Sequence, residues 1–160
     1  MINKPELLTV KSVLFVCMGN ICRSPSAEAV FRQKAKALAL TIDSAGTLGS
    51  HAREKPDHRA QKAGIARGYS FDNIKARKVS AQDFEKFDLI LAMDHQNVKD
   101  LMKVAPSSLQ YKIQLFLDYA ENFDDQEVPD PYYGGAKGFP FVLDLVEDAS
   151  DGLIKRLSAA

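Results

Sequence analysis

Residues 13–31 read VLFVCMGNICRSPSAEAVF. The run SVLFV (12–16) is short and, after Ser12, wholly apolar, which is consistent with a strand buried on both faces. It stops at Cys17. A loop containing Gly19 and Asn20 follows, then Arg23 and Ser24-Pro25. Ser24 fits a helix N-cap and Pro25 the first helical position. From there to residue 40 the spacing is helical: Val30, Lys34 and Leu38 recur at intervals of four beside Phe31, Ala35 and Ala39. A buried strand running through a tight loop into a helix N-terminus is the opening of an α/β fold.

The rest of the chain repeats the alternation. Strands are predicted at 40–46 (LTIDSAG), 87–93 (FDLILAM) and 111–116 (YKIQLF). Helices are predicted at 56–68, closed by Gly68, at 95–105 and at 139–157. Asp94 caps the second of these and Pro106 ends it. Ser80 with Asp83 reads as a capping box before a short helix. The resulting expectation is an α/β fold: a four-stranded parallel sheet with helices on both faces and the loop of residues 17–23 between strand 1 and helix 1. Ligands of such sheets sit at the carboxyl ends of the strands, where Cys17 lies. No repeat or linker interrupts the chain, so residues 1–160 are expected to form a single domain, with 1–11 as an N-terminal extension.

Composition narrows the function classes. Lysine plus arginine and aspartate plus glutamate number 21 each, which gives no cationic footprint for nucleic acid. No apolar run approaches a membrane span, and the N-terminus lacks the apolar core of a signal peptide. A cytoplasmic location and no membrane association are expected. The two cysteines and the three histidines (His51, His58, His95) lack ligand spacing, so neither metal nor cofactor is expected. The charges are uneven: residues 51–78 hold eight basic and three acidic side chains, and residues 118–151 hold ten acidic and one basic.

Chemistry concentrates in the opening stretch. The loop from Met18 through Gly19, Asn20, Ile21 and Cys22 leads to a helix N-terminus, where backbone N–H groups and the helix dipole favour an anion. Gly19 is expected to provide the turn. Arg23 adds a planar fork of donors that matches phosphate oxygens in pairs. Cys17, at the start of this cradle, is favoured as thiolate and poised for in-line attack on phosphorus. The Ser24 hydroxyl is placed to donate to that sulfur. The pattern C-x5-R-S thus combines a nucleophile with an anion clamp.

This stretch resembles the signature of the low-molecular-weight protein tyrosine phosphatases. The likeness continues through DSAGT (43–47), PDHRA (56–60), DFEKFDLILAMD (83–94), VPDPYYGG (128–135) and FVLDLVEDASDGL (141–153). The resemblance implies hydrolysis of phosphotyrosine or other aryl phosphates through a cysteinyl-phosphate, by Cys17, Arg23 and Asp130. Asp130 would be the general acid, and then the base, of the VPDPYYGG loop, which Gly134 and Gly135 close. Tyr132 and Tyr133 would wall the substrate cleft. Asn20, Ser44 and Asp94 would hold the loop in shape. Cys22 would be the partner with which Cys17 forms a reversible, protective disulfide. A phosphotyrosine protein as substrate, a tyrosine kinase as further partner and a monomeric state are implied as well.

The chain departs from the family pattern at three positions. Ser50 stands where bacterial members carry an aromatic, so one cleft wall is expected to be wider, more polar, or supplied by Leu48 or His51. Ile74 replaces a histidine that supports the loop asparagine, which predicts a less firmly held Asn20. His58 replaces a proline, with little expected effect. Three other readings are weighed against tyrosine dephosphorylation. A thioredoxin-coupled arsenate reductase needs downstream cysteines, and none follows Cys22. Protein-arginine phosphatases carry threonine where this chain has the bulkier Ile21. A phosphate-binding module without turnover has no use for Cys17, Arg23 and Asp130 together.

Overall fold

Every side chain of β1 (Ser12–Cys17) is buried, as an apolar run requires when neither face meets water. The computed structural model describes residues 7–134 and 137–158. β1 pairs in parallel with β2 (Thr41–Gly46) on one side and β3 (Leu89–Ala92) on the other. β3 pairs in parallel with β4 (Ile113–Leu115), and the strand order is β2-β1-β3-β4. Cys17 stands opposite Gly46, and Val16 opposite Ala92. The central strand therefore ends between two neighbours, where open α/β sheets place their ligands.

The connecting helices are α1 (Arg23–Lys34), α2 (His58–Ala66), α3 (Ala81–Lys86), α4 (His95–Val104) and α5 (Gly138–Ser158). Side chains alternate along β1. Val13, Phe15 and Cys17 face one layer, with Val30 and Phe31 of α1 and Leu143 and Val146 of α5. Phe15 meets Phe31 and Phe116 edge-on, at centroid distances of 5.4 and 4.9 Å. Leu14 and Val16 face the opposite layer, with Phe84 of α3 and Leu101 of α4. Helices cover both faces of a four-stranded parallel sheet, as the alternating pattern predicts.

Several boundaries differ from expectation. α1 begins at Arg23, with Cys22 as N-cap and no side-chain cap. Ser24 and Pro25 are its second and third residues, because the Ser24 hydroxyl is engaged with Cys17 and Asn20 instead. Pro25 remains within the first turn, where its missing N–H is harmless. The same helix stops at Lys34; residues 36–38 form a 3₁₀ turn that ends on a left-handed Ala39, φ 52°. β4 is shorter than expected, since Ser107–Lys112 is a 3₁₀ helix. The capping box at Ser80 and Asp83 is present. Asp94 caps α4 by accepting from Asn97 N–H at 2.7 Å, and Gly68, at φ 90°, follows the last turn of α2. Of the N-terminal segment, residues 1–6 lie outside the described residues, while Leu7–Thr9 form a 3₁₀ turn and Val10 is buried in the main core.

Candidate active site

The loop between β1 and α1 is fixed from outside. Thr47 N–H donates to the Cys17 carbonyl at 2.9 Å, Leu48 N–H to Met18 O at 3.0 Å, and Asp57 N–H to Ile21 O at 2.7 Å. Three loop carbonyls thus point away from the cradle. Close packing here depends on Gly46: a Cβ at that position would lie 2.7 Å from Met18 O and 2.9 Å from Leu48 O. The turn itself is made by Asn20, φ 58°, not by Gly19, whose φ is not positive. Asparagine tolerates the left-handed region because its short amide can bond locally.

That amide is fully used. Asn20 Nδ2 donates to Ser24 Oγ at 2.8 Å and to Ser44 Oγ at 3.0 Å, while its Oδ1 accepts from Arg77 N–H at 3.0 Å. The weaker hold expected from Ile74 is therefore not found: Ile74 is a core side chain, and the Arg77 backbone supplies a donor. The Ser44 hydroxyl donates onward to Glu28 Oε1 at 2.6 Å, and Glu28 Oε2 accepts from Arg32 at 2.6 Å. Burial raises the Glu28 pKa, although the bonds from Ser44 and Arg32 act the other way. Glu28 lies outside the sequence expectations. An acidic residue in mid-helix reads as surface, and only its position one turn beyond Ser24 hinted otherwise.

Cys17 Sγ lies 3.0 Å from Ser24 Oγ and 3.3 Å from Asn20 N–H. Because Asn20 Nδ2 already donates to Ser24 Oγ, the Ser24 hydrogen is available to the sulfur. The side chains of Asn20 and Ser24 lie beneath the loop, both almost completely buried. Arg23 is buried too. Its Nη1 donates to Asp94 Oδ2 at 2.6 Å and to Val128 O at 3.1 Å. Its Nη2 lies 3.8 Å from Asp130 Oδ2. Burial would depress the Arg23 pKa, but Cys17, Asp94 and Asp130 more than offset it and the net direction is upward.

These groups floor a cleft of about 370 Å³. Met18, Gly19, Ile21 and Cys22 line it with Cys17 and Arg23; Asp130, Tyr132 and Tyr133 come from the opposite rim. Tyr133 is 85% exposed and meets Tyr132 edge-on at 4.9 Å. Ser50 does not reach the cleft, and neither does Leu48. The chain turns at 50–53 and presents His51 instead, its Nδ1 2.7 Å from Glu54 Oε2. His58 is an exposed first residue of α2. Both cysteines are free thiols. Burial, then Asp57, Cys17 and Asp130, push the Cys22 thiol up to about 12. Gly135 lies outside the described residues.

A cysteine-bearing loop that enters a helix N-terminus at the carboxyl edge of a parallel sheet, faced by an aspartate, has the geometry to hold an anion beside a thiol, and comparison with known proteins gives the family. The family model for low molecular weight phosphotyrosine protein phosphatase matches residues 12–160. The low molecular weight protein-tyrosine-phosphatase YfkJ of Bacillus subtilis is 44% identical over 147 residues, covering 89% of this chain and 93% of that protein. The Schizosaccharomyces pombe low molecular weight phosphotyrosine protein phosphatase is 41% identical over 151 residues, covering 91% and 96%. A crystal structure of a protein tyrosine phosphatase from Entamoeba histolytica superposes with TM-score 0.87 at 45% identity, covering 92% and 97%. The chain belongs to the low molecular weight phosphotyrosine protein phosphatase family, whose members are cysteine-dependent hydrolases.

Proposed function

We propose that this enzyme hydrolyses phosphotyrosine in proteins, and aryl phosphates generally, through a cysteinyl-phosphate on Cys17. The observation that carries the reading is the placement of Cys17 Sγ beside the Ser24 hydroxyl and Asn20 N–H, on the floor of a cleft whose rim bears Asp130 and Tyr132. The phosphate sits on the 18–22 backbone N–H groups and the Arg23 guanidinium. The Cys17 thiolate attacks phosphorus, the bond to the aryl oxygen breaks, and Asp130 gives that oxygen its proton. Asp130 then takes a proton from water as the water attacks phosphorus and the P–S bond breaks. Ser24 donates to the departing thiolate.

Tyr132 and Tyr133 wall the substrate ring. The apolar bulk of Ile21 in the cleft suits a ring better than a guanidinium, which favours tyrosine over arginine phosphate. A protein phosphorylated by a tyrosine kinase is the substrate class this requires. We place the enzyme in the cytoplasm as a monomer whose described residues form one catalytic unit; among them no helix is long and apolar enough to cross a membrane. Cys22 acts as the resolving thiol for oxidised Cys17, and its high pKa keeps it out of the hydrolytic cycle.

The test is p-nitrophenyl phosphate hydrolysis against pH, with EDTA present, for wild type and Cys17→Ser. A bell-shaped profile that vanishes in Cys17→Ser, with folding intact, is expected. Near-normal turnover by Cys17→Ser would defeat the covalent mechanism.

A further inference from the structure

Asp130 is not held by the phosphate loop alone. Its Oδ1 accepts from Tyr132 N–H at 3.0 Å, which leaves Oδ2, 3.8 Å from Arg23 Nη2, as the oxygen turned toward bound phosphate. Upstream, the segment is anchored by Val128, whose N–H donates to Met93 O at 2.8 Å and whose carbonyl accepts from Arg23. Downstream, the side chain that grips it is Arg59. Its Nη2 donates to the Tyr132 carbonyl at 3.0 Å. Its guanidinium lies over the Tyr132 ring at 5.4 Å and over the Phe139 ring at 4.7 Å.

Arg59 is itself fixed to the other half of the site. Its Nε and Nη2 each donate to the Asp57 carboxylate at 3.1 Å. Asp57 caps α2, accepting from Arg59 N–H at 2.8 Å, and its own N–H holds the Ile21 carbonyl of the phosphate loop. A continuous series of bonds therefore joins phosphate loop, Asp57, Arg59, Tyr132 and Asp130. A guanidinium can close it because one plane both stacks and donates in two directions.

We propose that Arg59 is a positioning residue that sets the Asp130 carboxylate at a fixed distance from the phosphate loop, so that its proton meets the leaving oxygen. This rests on the reading of Asp130 as proton donor. The competing role for a cation at a cleft rim is direct attraction of the phosphorylated substrate. The two roles differ in what they make the rate depend on. A positioning role matters only when the leaving group needs a proton. A charge role matters equally for every phosphate ester.

The experiment measures kcat/KM, which reports the step that expels the aryl oxygen, for phenyl phosphate and p-nitrophenyl phosphate. Phenoxide needs protonation; p-nitrophenoxide leaves readily without it. Asp130→Asn sets the reference, with selective loss on phenyl phosphate. Arg59→Ala is expected to lose roughly 10- to 100-fold on phenyl phosphate, the scale of a misplaced catalytic group, and about threefold or less on p-nitrophenyl phosphate. In the Asp130→Asn background the same change is expected to cost less than about threefold on either ester, since coupled residues are not additive. Arg59→Lys keeps the charge beside Asp57 but lacks the stacking plane. It is expected to show the same selectivity more weakly, and it carries the comparison if Arg59→Ala does not fold.

Equal losses on both esters, or a loss undiminished in the Asp130→Asn background, would overturn the inference while leaving Asp130 as acid. An Asp130→Asn enzyme that treats both esters alike would remove the acid assignment, and this inference with it.

Discussion

Asp94 divides its carboxylate between two tasks: Oδ1 caps α4 through Asn97 N–H at 2.7 Å, and Oδ2 accepts from Arg23 Nη1 at 2.6 Å. One aspartate thereby fixes the helix that follows β3 and the guanidinium we propose as the phosphate clamp. With Nη1 spent on Asp94 and Val128, the remaining face of the fork is presented to the cleft. The anion site is assembled from the ends of two adjacent strands, which is why it needs the sheet and not the loop alone.

The two tasks separate by substitution. Asp94→Asn keeps a good cap but loses the charge opposite the buried Arg23, so kcat/KM should fall and the broken ion pair should also lower stability. Asp94→Ala loses both, and should cost about 1 kcal/mol more than Asp94→Asn, the usual weight of a cap. Urea unfolding beside kinetics on p-nitrophenyl phosphate distinguishes the pair; identical behaviour of the two variants would contradict the division.

Gly46→Ala should damage the enzyme although residue 46 touches no substrate. The added methyl would meet two backbone carbonyls at 2.7 and 2.9 Å, neither of which can rotate aside. Overpacking of this kind costs about 1–3 kcal/mol. The loop that must shift is the one carrying Cys17, so turnover should drop more than stability does. Unchanged kinetics would mean the loop relaxes freely.

Cys22 makes stability fall at high pH. In the unfolded chain its thiol ionises near 9.0, whereas in the folded protein burial holds it protonated to about 12. Between those values the unfolded state binds fewer protons, so stability decreases as pH rises. Tyr119, raised by burial to about 12, adds the same sign, as does Tyr69, raised by burial and by Glu147. Urea midpoints from pH 8 to 11 should decline, and Cys22→Ala should flatten the part that begins near 9. An unchanged slope in that variant would assign the decline to the tyrosines.

Glu28 tests the support of Asn20. Glu28→Gln retains an acceptor for the Ser44 hydroxyl and avoids an ionised carboxylate in a buried place, so it should be nearly neutral in stability. Glu28→Ala leaves that hydroxyl unpaired and should cost about 1–3 kcal/mol. A parallel fall in kcat on p-nitrophenyl phosphate would report the loosened Asn20. Equal stability of the two variants would show that Ser44 does not depend on residue 28.

The sequence reveals local matters and hides those that need two distant segments. The apolar run 12–16 is consistent with a buried strand, and its alternation with helical stretches leads to a parallel sheet. Capping at Asp94 and at Ser80 with Asp83 was readable because both partners lie within one turn. Ser24 misled, since a serine before proline is a sound N-cap until Cys17 and Asn20 compete for its hydroxyl. The bond of Arg77 N–H to Asn20 crosses 57 residues, and no pattern announces it. His51 was one of several candidates for the missing wall; only the turn at 50–53 chose among them.

β1 precedes β2, β3 and β4 in the chain and lies inside the sheet, between β2 and β3. A ribosome releases Cys17 long before it releases Leu89–Ala92 and the Asp94 that grips Arg23. The nascent chain thus carries Cys17 and Arg23 well before it carries the Asp94 that fixes the guanidinium or the facing Asp130. Late arrival of the second neighbour makes competence wait for Asp94 and Asp130, so products truncated before them should accumulate as inert chains with alkylatable cysteines rather than as partly active phosphatases.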